Sequence, residues 1–494
     1  MPLAKRKDAA ATRRNRKECH ESKSLKIENE ISPNRISFYV VFFFAVFGCA
    51  LFILYTKTHE PFRRSTSDRS TAFKVEKSVE ILRWPKYKPF ADFVAQKGEP
   101  IVLRNTFVDD WPARSLWNPS YLRNRLLRLT GIYVNRNRWF GPYYDVTRPL
   151  AHLATRSNAY ETNATMTSVD FFHKLTAGPN SKHVYFSGEI EKLGNWAIDD
   201  VMPMDEFLTL NPELASVNVW MGQAGVIAHC HYDGYHNFYT QLYGKKRFTL
   251  FRPSQWSRLY PYPFLHPSHA QCQVNLSDPD LSRFPLVTRA NAVEVVLEPG
   301  DVLYMPPLWF HHVESISASI AVNVWTDSAQ SLEMQRIYET TNPALSRFDG
   351  QAGAFKALAA MQTVIAVIRK AAAQNLIESS SDFILALYRS RYENLMKDRV
   401  LPSVPDVSWP WKSSDDLCAQ YAKLKSSIRE LELQRDTKTY VVTVVKHLAN
   451  LPNDTRELWL GNYVESLAAT VASPELVGQL LRDISTCVNE FYTL

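Results

Sequence analysis

Strong charge of one sign is missing from this chain. Its 494 residues carry a formal net charge of +7. Much of that sits in the first 35 residues and the remainder is near balance, which argues against a nucleic-acid-binding enzyme. Internal repeats are missing too, so no repeat array is indicated. Cysteine is sparse, at six residues, four of them after residue 55: Cys230, Cys272, Cys418 and Cys487. A Cys418–Cys487 disulfide between C-terminal helices fits these positions, although spacing alone does not determine pairing. Charge is also absent from one stretch, residues 36–55, where Ser37 is the only clearly polar member. At helical rise this run just spans the hydrocarbon core of a bilayer, about 30 Å.

Ten Lys and Arg residues precede that run, and Lys57, Arg63, Arg64 and Arg69 follow it. The excess on the N-terminal side favours a cytoplasmic N-terminus. A cleaved signal peptide fits poorly, because the apolar run is too long and the charged leader too extended. The expected topology is therefore a single-pass type II membrane protein, with everything after residue 55 in the secretory lumen (endoplasmic reticulum or Golgi) or outside the cell. Three Asn-X-Ser/Thr sequons lie on that side, at Asn163, Asn275 and Asn453, and give the topology weak support.

The composition supports a large folded core and roughly two to four domains. Residues 1–35 are charged and poor in aromatics, as a disordered tail is. The membrane helix at 36–55 is followed by a basic, Ser/Thr-rich linker at 56–74. A first folded domain is expected over 75–327 and a helical region over 328–494. Residues 100–104 read as a short strand, and Asn118-Pro119 as a helix start with Asn as cap and Pro at the first helical position. A helix is expected over 168–175 with Ser168 as its cap, and a strand at 184–186. From 216 to 327, short strands alternate with Pro-, Gly- and Asn-containing turns, the mark of a sandwich or barrel. Later, Leu358, Met361, Ile365 and Ile368 recur at helical spacing, as do Leu417, Tyr421, Leu424, Ile428 and Leu431. A further helix is expected within 475–491, and a proline cluster at 401–410 separates these groups. The helices serve either to cover one end of the sheet domain or to form a homodimer or dock a partner.

The chemistry concentrates at His229-Cys230-His231-Tyr232-Asp233. Residues 218–243 alternate as strand does, so His231 and Asp233, two apart, face one point. Gly300-Asp301 opens a second apolar strand that leads to His311-His312. Two histidines and a carboxylate on one face of a metal, with the opposite positions open, is the donor set of non-haem Fe(II) oxygenases. His229 shares the face of His231 and offers a shifted ligand assignment. His312 points away from His311 if the chain is extended there. Cys230 falls out of the metal-facing row and reads as a packed thiol.

These residues carry a family resemblance. His231-Tyr232-Asp233, Asn237-Phe238, Gln241, Gly244-Lys245-Lys246-Arg247, Leu259-Tyr260-Pro261-Tyr262-Pro263, Pro299-Gly300-Asp301, His311-His312-Val313 and Val322-Asn323-Val324-Trp325 resemble a JmjC-domain hydroxylase of the cupin superfamily. The nearest subgroup contains the factor-inhibiting asparaginyl hydroxylase of the hypoxia response. The resemblance covers roughly residues 100–325 and is strongest from 225 onward. It implies a mainly β fold, a double-stranded β-helix or jelly roll with flanking helices, that uses Fe(II), 2-oxoglutarate and O₂ on a protein substrate. By motif position it implies His231, Asp233 and His311 as iron ligands and Lys246 as partner of the distal 2-oxoglutarate carboxylate. Tyr185, Asn237 and Asn323 would line the co-substrate pocket, with Trp325 beside it. Lys245 takes the place of Lys246 if the hairpin register slips by one.

Two positions depart from the family pattern. Ala228 stands where a Thr or Ser hydroxyl usually meets the co-substrate carboxylate, and Ala270-Gln271 stands where the asparaginyl hydroxylase has an Arg-Gln pair. A non-catalytic cupin-like interaction module is the competing reading. A histone or RNA oxygenase is another, if residues 36–55 do not cross a membrane.

Overall fold

The computed structural model describes residues 72–494 other than 85–97, 136–137, 141–162, 179–181, 204–206, 208–214, 267, 341–352, 398–415, 417, 421–422, 424–434, 470–473 and 492–494. The apolar run at 36–55 lies outside the described residues, as do the proline cluster and most of the heptad-like stripe at 417–431. Among the described residues no helix is long and apolar enough to cross a membrane.

In chain order the strands are β1 (Lys74–Ser78), β2 (Glu80–Arg83), β3 (Ile101–Arg104), β4 (Arg128–Asn135), β5 (Trp139–Phe140), β6 (Asn163–Thr167), β7 (His183–Glu189) and β8 (Ser216–Gly222). They continue with β9 (Ile227–His231), β10 (His236–Tyr243), β11 (Lys246–Phe251), β12 (Asn291–Leu297), β13 (Val302–Met305), β14 (Phe310–Ser315) and β15 (Ser319–Thr326). They form two sheets, ordered β1-β12-β11-β14-β9-β5 and β2-β3-β13-β10-β15-β8-β7-β4-β6. From β8 to β15 the chain passes back and forth between the sheets. β9, β11, β12 and β14 lie in the smaller one, and β8, β10, β13 and β15 in the larger. That alternation is a double-stranded β-helix, the jelly-roll core expected for a cupin.

Local chemistry explains the boundaries. Helix α1 (Pro119–Arg125) starts where Asn118 Oδ1 accepts the Tyr121 amide at 3.0 Å, with Pro119 at a position that needs no N–H donor. Helix α2 (Ser168–Thr176) is capped by Thr167, whose hydroxyl accepts the Asp170 amide, and not by Ser168 as expected. Ser168 instead donates to the Arg123 carbonyl. The expected strand over 218–243 is three strands, because Gly225 at φ 82° and the turn at 232–235 break it. Asp233 therefore lies past the end of β9 and reaches the site from a turn, not from the same strand face as His231.

Apolar side chains fill three layers. Between the sheets, Phe248, Leu250, Leu303, Met305 and Val313 pack together. The outer face of the larger sheet packs on α1 and α2 through Leu122, Phe171 and Phe172. The outer face of the smaller sheet shares one core with the C-terminal helices, where Cys230, Tyr232 and Phe310 meet the apolar stripes of Met361, Ile365 and Ile368. Those helices are α3 (Ala329–Glu339), α4 (Gly353–Ala373), α5 (Ser380–Arg391), α6 (Arg435–Ala449), α7 (Arg456–Ala468) and α8 (Pro474–Phe491). On α8, Val477, Leu480, Leu481 and Ile484 are fully buried within this chain, where the helix packs on α5 and α7. The Arg391–Glu465 ion pair between α5 and α7 is wholly enclosed there, at 2.7 Å.

Candidate metal centre and co-substrate pocket

The end of β9 and the start of β14 lie side by side, with His231 directly opposite His311. Their rings are 4.1 Å apart between centroids. The turn after β9 brings Asp233 alongside. Its Oδ2 lies 3.6 Å from His311 Nε2, and its backbone carbonyl is fixed by the Leu308 amide at 2.7 Å. Ligand atoms of His231, Asp233 and His311 lie within 4.8 Å of one another, the single such cluster among the described residues.

Each imidazole is oriented by its own strand. His231 Nδ1 meets the His229 carbonyl at 2.6 Å, and His311 Nδ1 meets the Trp309 carbonyl at 3.0 Å. A carbonyl can only accept, so both Nδ1 atoms carry the proton and both Nε2 lone pairs are left for a cation. Burial pushes His311 down to about 4, aided by neighbouring His231, so its ring is neutral near pH 7. Two neutral imidazoles and a carboxylate fit Fe(II) by donor type and charge.

The ambiguity at His229 resolves through a bulge. The β9–β14 pairing shifts between His311 and Val313, so β9 spends three residues where β14 spends two. Strict alternation fails there, and His229 turns away from the metal face. Its Nε2 bonds the Cys272 carbonyl at 2.6 Å and its ring packs edge-on to Trp139. His312 points to the same outer side, near Ser277. Cys230 is a buried thiol beside Cys272.

Farther along the strands, the facing sides of the two sheets carry further buried polar groups. The tight β10–β11 hairpin turns at Gly244, φ 70°, where a Cβ would strike the Ala318 carbonyl. This register points Lys246 inward and Lys245 outward. Lys246 is 2% exposed, whereas Lys245 pairs with Glu298 on the surface. Lys246 Nζ donates to the Tyr185 hydroxyl at 2.9 Å, and burial pushes its ammonium down to about 7. Gly222 lets the Tyr185 ring lie flat on β8, since a Cβ there would come within 2.6 Å of it. Asn323 accepts from Trp220 Nε1 at 2.7 Å and donates to Asn237 at 3.0 Å, which fixes one wall. Trp325 stands edge-on to Trp220, and its Nε1 has no partner among the described residues. Lys246, Tyr185, Asn237, Asn323 and Trp325 thus form one contact network through Trp220, and His231, Asp233 and His311 a second cluster on β9, the turn after it and β14. A buried cationic amine with one hydroxyl partner fits the far carboxylate of 2-oxoglutarate.

Three further residues belong here. Trp220 and Tyr239 were legible by alternation, Tyr239 being two positions after Asn237 on β10. Phe140 was not. It stacks 4.2 Å from Tyr185 and pairs with Ala228 through β5, a two-residue strand remote in sequence.

Residues 88–331 match the cupin-like domain family. This part of the chain is similar to the cupin-like domains of JmjC proteins. The lysine-specific demethylase JMJ30 of Arabidopsis thaliana is 30% identical over 46% of this chain and 50% of its own length. Jumonji C domain-containing protein 5 of Drosophila melanogaster is 25% identical over 54% of this chain and 62% of its own. The human bifunctional peptidase and (3S)-lysyl hydroxylase JMJD7 is 26% identical over 47% of this chain and 79% of its own. The chain therefore spans only about half to three fifths of the length of the first two relatives.

Proposed function

We propose that this chain is an Fe(II)- and 2-oxoglutarate-dependent dioxygenase that hydroxylates a protein side chain. One observation carries the reading: the ligand atoms of His231, Asp233 and His311 converge, and the buried Lys246 ammonium lies on β11, the strand paired with the β14 that carries His311. When bound, Fe(II) with 2-oxoglutarate and O₂ supplies oxidative decarboxylation to succinate and CO₂, coupled to oxygen transfer into a C–H bond. The chain's own residues do the positioning. The two imidazoles are held by their Nδ1 bonds, Lys246 draws the co-substrate's far carboxylate inward, and the Trp220–Asn323–Asn237 chain keeps the wall rigid. Phe248, Leu250 and Met305 keep bulk water from the space between the sheets.

A nitrogen-bearing side chain, lysine first, is the substrate class to test. Gln271 pairs across the backbone with His231, and its Oε1 is buried with no partner among the described residues, so it can receive a substrate N–H. The names of JMJ30 and JMJD7 both refer to lysine chemistry. We further propose that residues 36–55 anchor the chain with its JmjC domain in an oxidising lumen. Cys418 is disulfide-bonded, which such a compartment permits, and the sequon residue Asn453 is exposed.

The test is succinate release by the full-length chain with Fe(II), 2-oxoglutarate and a panel of lysine- and asparagine-containing peptides, beside the Asp233→Ala variant. Turnover on a lysine peptide that Asp233→Ala abolishes is the expected result. No turnover on any peptide, with metal bound, favours the interaction-module reading. A glycan on Asn453 in cells is expected from the topology, and its absence from fully membrane-extracted protein counts against a lumenal domain.

A further inference from the structure

Position 228 raises a specific difficulty for the pocket. An alanine there leaves β9 without a hydroxyl to meet the co-substrate carboxylate, and Lys246 and Tyr185 are left as a two-point holder. Across the pocket, β10 presents a group that repairs this. Tyr239 follows Asn237 by two residues and so faces the same interior. Its ring packs edge-on against Phe248, at 5.0 Å between centroids, and lies under the Lys246 ammonium, 5.3 Å from its centroid. The Tyr185 ring lies 5.1 Å from that same ammonium. The Tyr239 hydroxyl is fully buried and has no hydrogen-bond partner among the described residues.

We propose that the Tyr239 hydroxyl is a co-substrate ligand. It replaces the hydroxyl missing at Ala228, so that Lys246, Tyr185 and Tyr239 grip the far carboxylate of a 2-oxo diacid from three sides. The proposal rests on the dioxygenase reading and adds a residue to it. A buried hydroxyl without a partner destabilises a fold and is retained where a ligand satisfies it. Burial first, and the neighbouring Tyr185 hydroxyl second, hold the Tyr239 phenol well above its ordinary value, so it stays an O–H donor. Tyr185 is held up by burial in the same way. Tyr185 accepts from Lys246 and keeps its own proton to donate. A carboxylate offers acceptor sites for both phenols and for the remaining ammonium protons. The clamp thereby draws on β10 of the larger sheet in place of β9 of the smaller one. It requires a second carboxylate on the ligand and gives nothing to a 2-oxo monoacid.

The test is calorimetric titration of 2-oxoglutarate into the full-length chain loaded with Mn(II), which occupies the site without turnover. Tyr239→Phe removes one oxygen and keeps the ring. It is expected to weaken 2-oxoglutarate binding by roughly tenfold or more, the worth of one hydrogen bond to a charged group. Mn(II) affinity and the melting temperature of the co-substrate-free protein should not fall. Ala228→Ser added to Tyr239→Phe is expected to restore most of the loss, and 2-oxobutyrate, which lacks the far carboxylate, should bind both proteins alike. Binding within twofold of wild type in Tyr239→Phe overturns the proposal. So does an equal loss of 2-oxobutyrate binding, or a loss that Ala228→Ser does not relieve, since each assigns the effect to a displaced ring. If wild type itself fails to bind 2-oxoglutarate, the dioxygenase reading falls, a result distinct from any of these.

Discussion

The helical C-terminal region and the sheet sandwich both bury charge, but they surround it differently. Between α5 and α7, the Glu465 carboxylate accepts from Arg391, from the Tyr392 hydroxyl and from the Phe264 amide. Arg391 also donates to Asn462 and lies over the Trp256 ring. Between the sheets, Lys246 bonds the Tyr185 hydroxyl alone, and Tyr239 Oη and Trp325 Nε1 have no partner among the described residues. Groups that satisfy one another inside the chain hold architecture together. Groups aimed into a shared space and left under-satisfied mark where something else binds. The two regions also meet. Tyr232, between His231 and Asp233, receives a bond from Asn462 on α7, and Phe310, next to His311, packs on Tyr232 at 5.0 Å.

The comparison can be broken at several points. The largest effect is expected for Asp233→Ala. Succinate release should drop to background and Mn(II) binding should be lost, with the urea midpoint almost unchanged, since the carboxylate is partly exposed. Retained metal binding in that variant would falsify the ligand assignment. Next, Glu465→Ala should lower stability by about 3–5 kcal/mol in urea unfolding, because it leaves the buried Arg391 charge unpaired. A loss below about 1 kcal/mol would remove the architectural half of the contrast.

Lys246→Ala should behave in the opposite sense. Its 2-oxoglutarate affinity is expected to fall about 10- to 100-fold, while the co-substrate-free protein keeps or gains stability, because a desolvated amine has gone. A clear loss of stability would class Lys246 with Arg391. The smallest effect is a pH dependence. Burial sets the free Lys246 ammonium at about 7, and only the charged form attracts the co-substrate carboxylate. Affinity should therefore be flat below pH 7 and decline as pH rises above it, by at most about tenfold per unit. Titrations at pH 6, 7 and 8 check this, and affinity that rises with pH would break it.

The residues of the candidate site were legible before the fold. His231, Asp233 and His311 follow from donor type and from a turn-strand-histidine arrangement. The family pattern placed Lys246, Tyr185, Asn237, Asn323 and Trp325, and alternation along one strand reaches Tyr239. Local rules also yielded the Asn118 cap and the helical stripes, because capping and amphipathic spacing involve residues a few positions apart. The sequence by itself thus brought out the side chains of the candidate site and most of the strand and helix segments around it.

Tertiary structure alone decided the rest. The bulge that turns His229 away exists only because β9 pairs with β14. Asp233 lies on a turn and not on a strand face, and Lys246 rather than Lys245 points inward because Gly244 fixes the hairpin register. Phe140 reaches the pocket through a parallel pairing between distant segments. Register and long-range pairing depend on how whole sheets share a core, and a one-residue slip inverts every facing side chain. That information is carried by no local stretch of the chain.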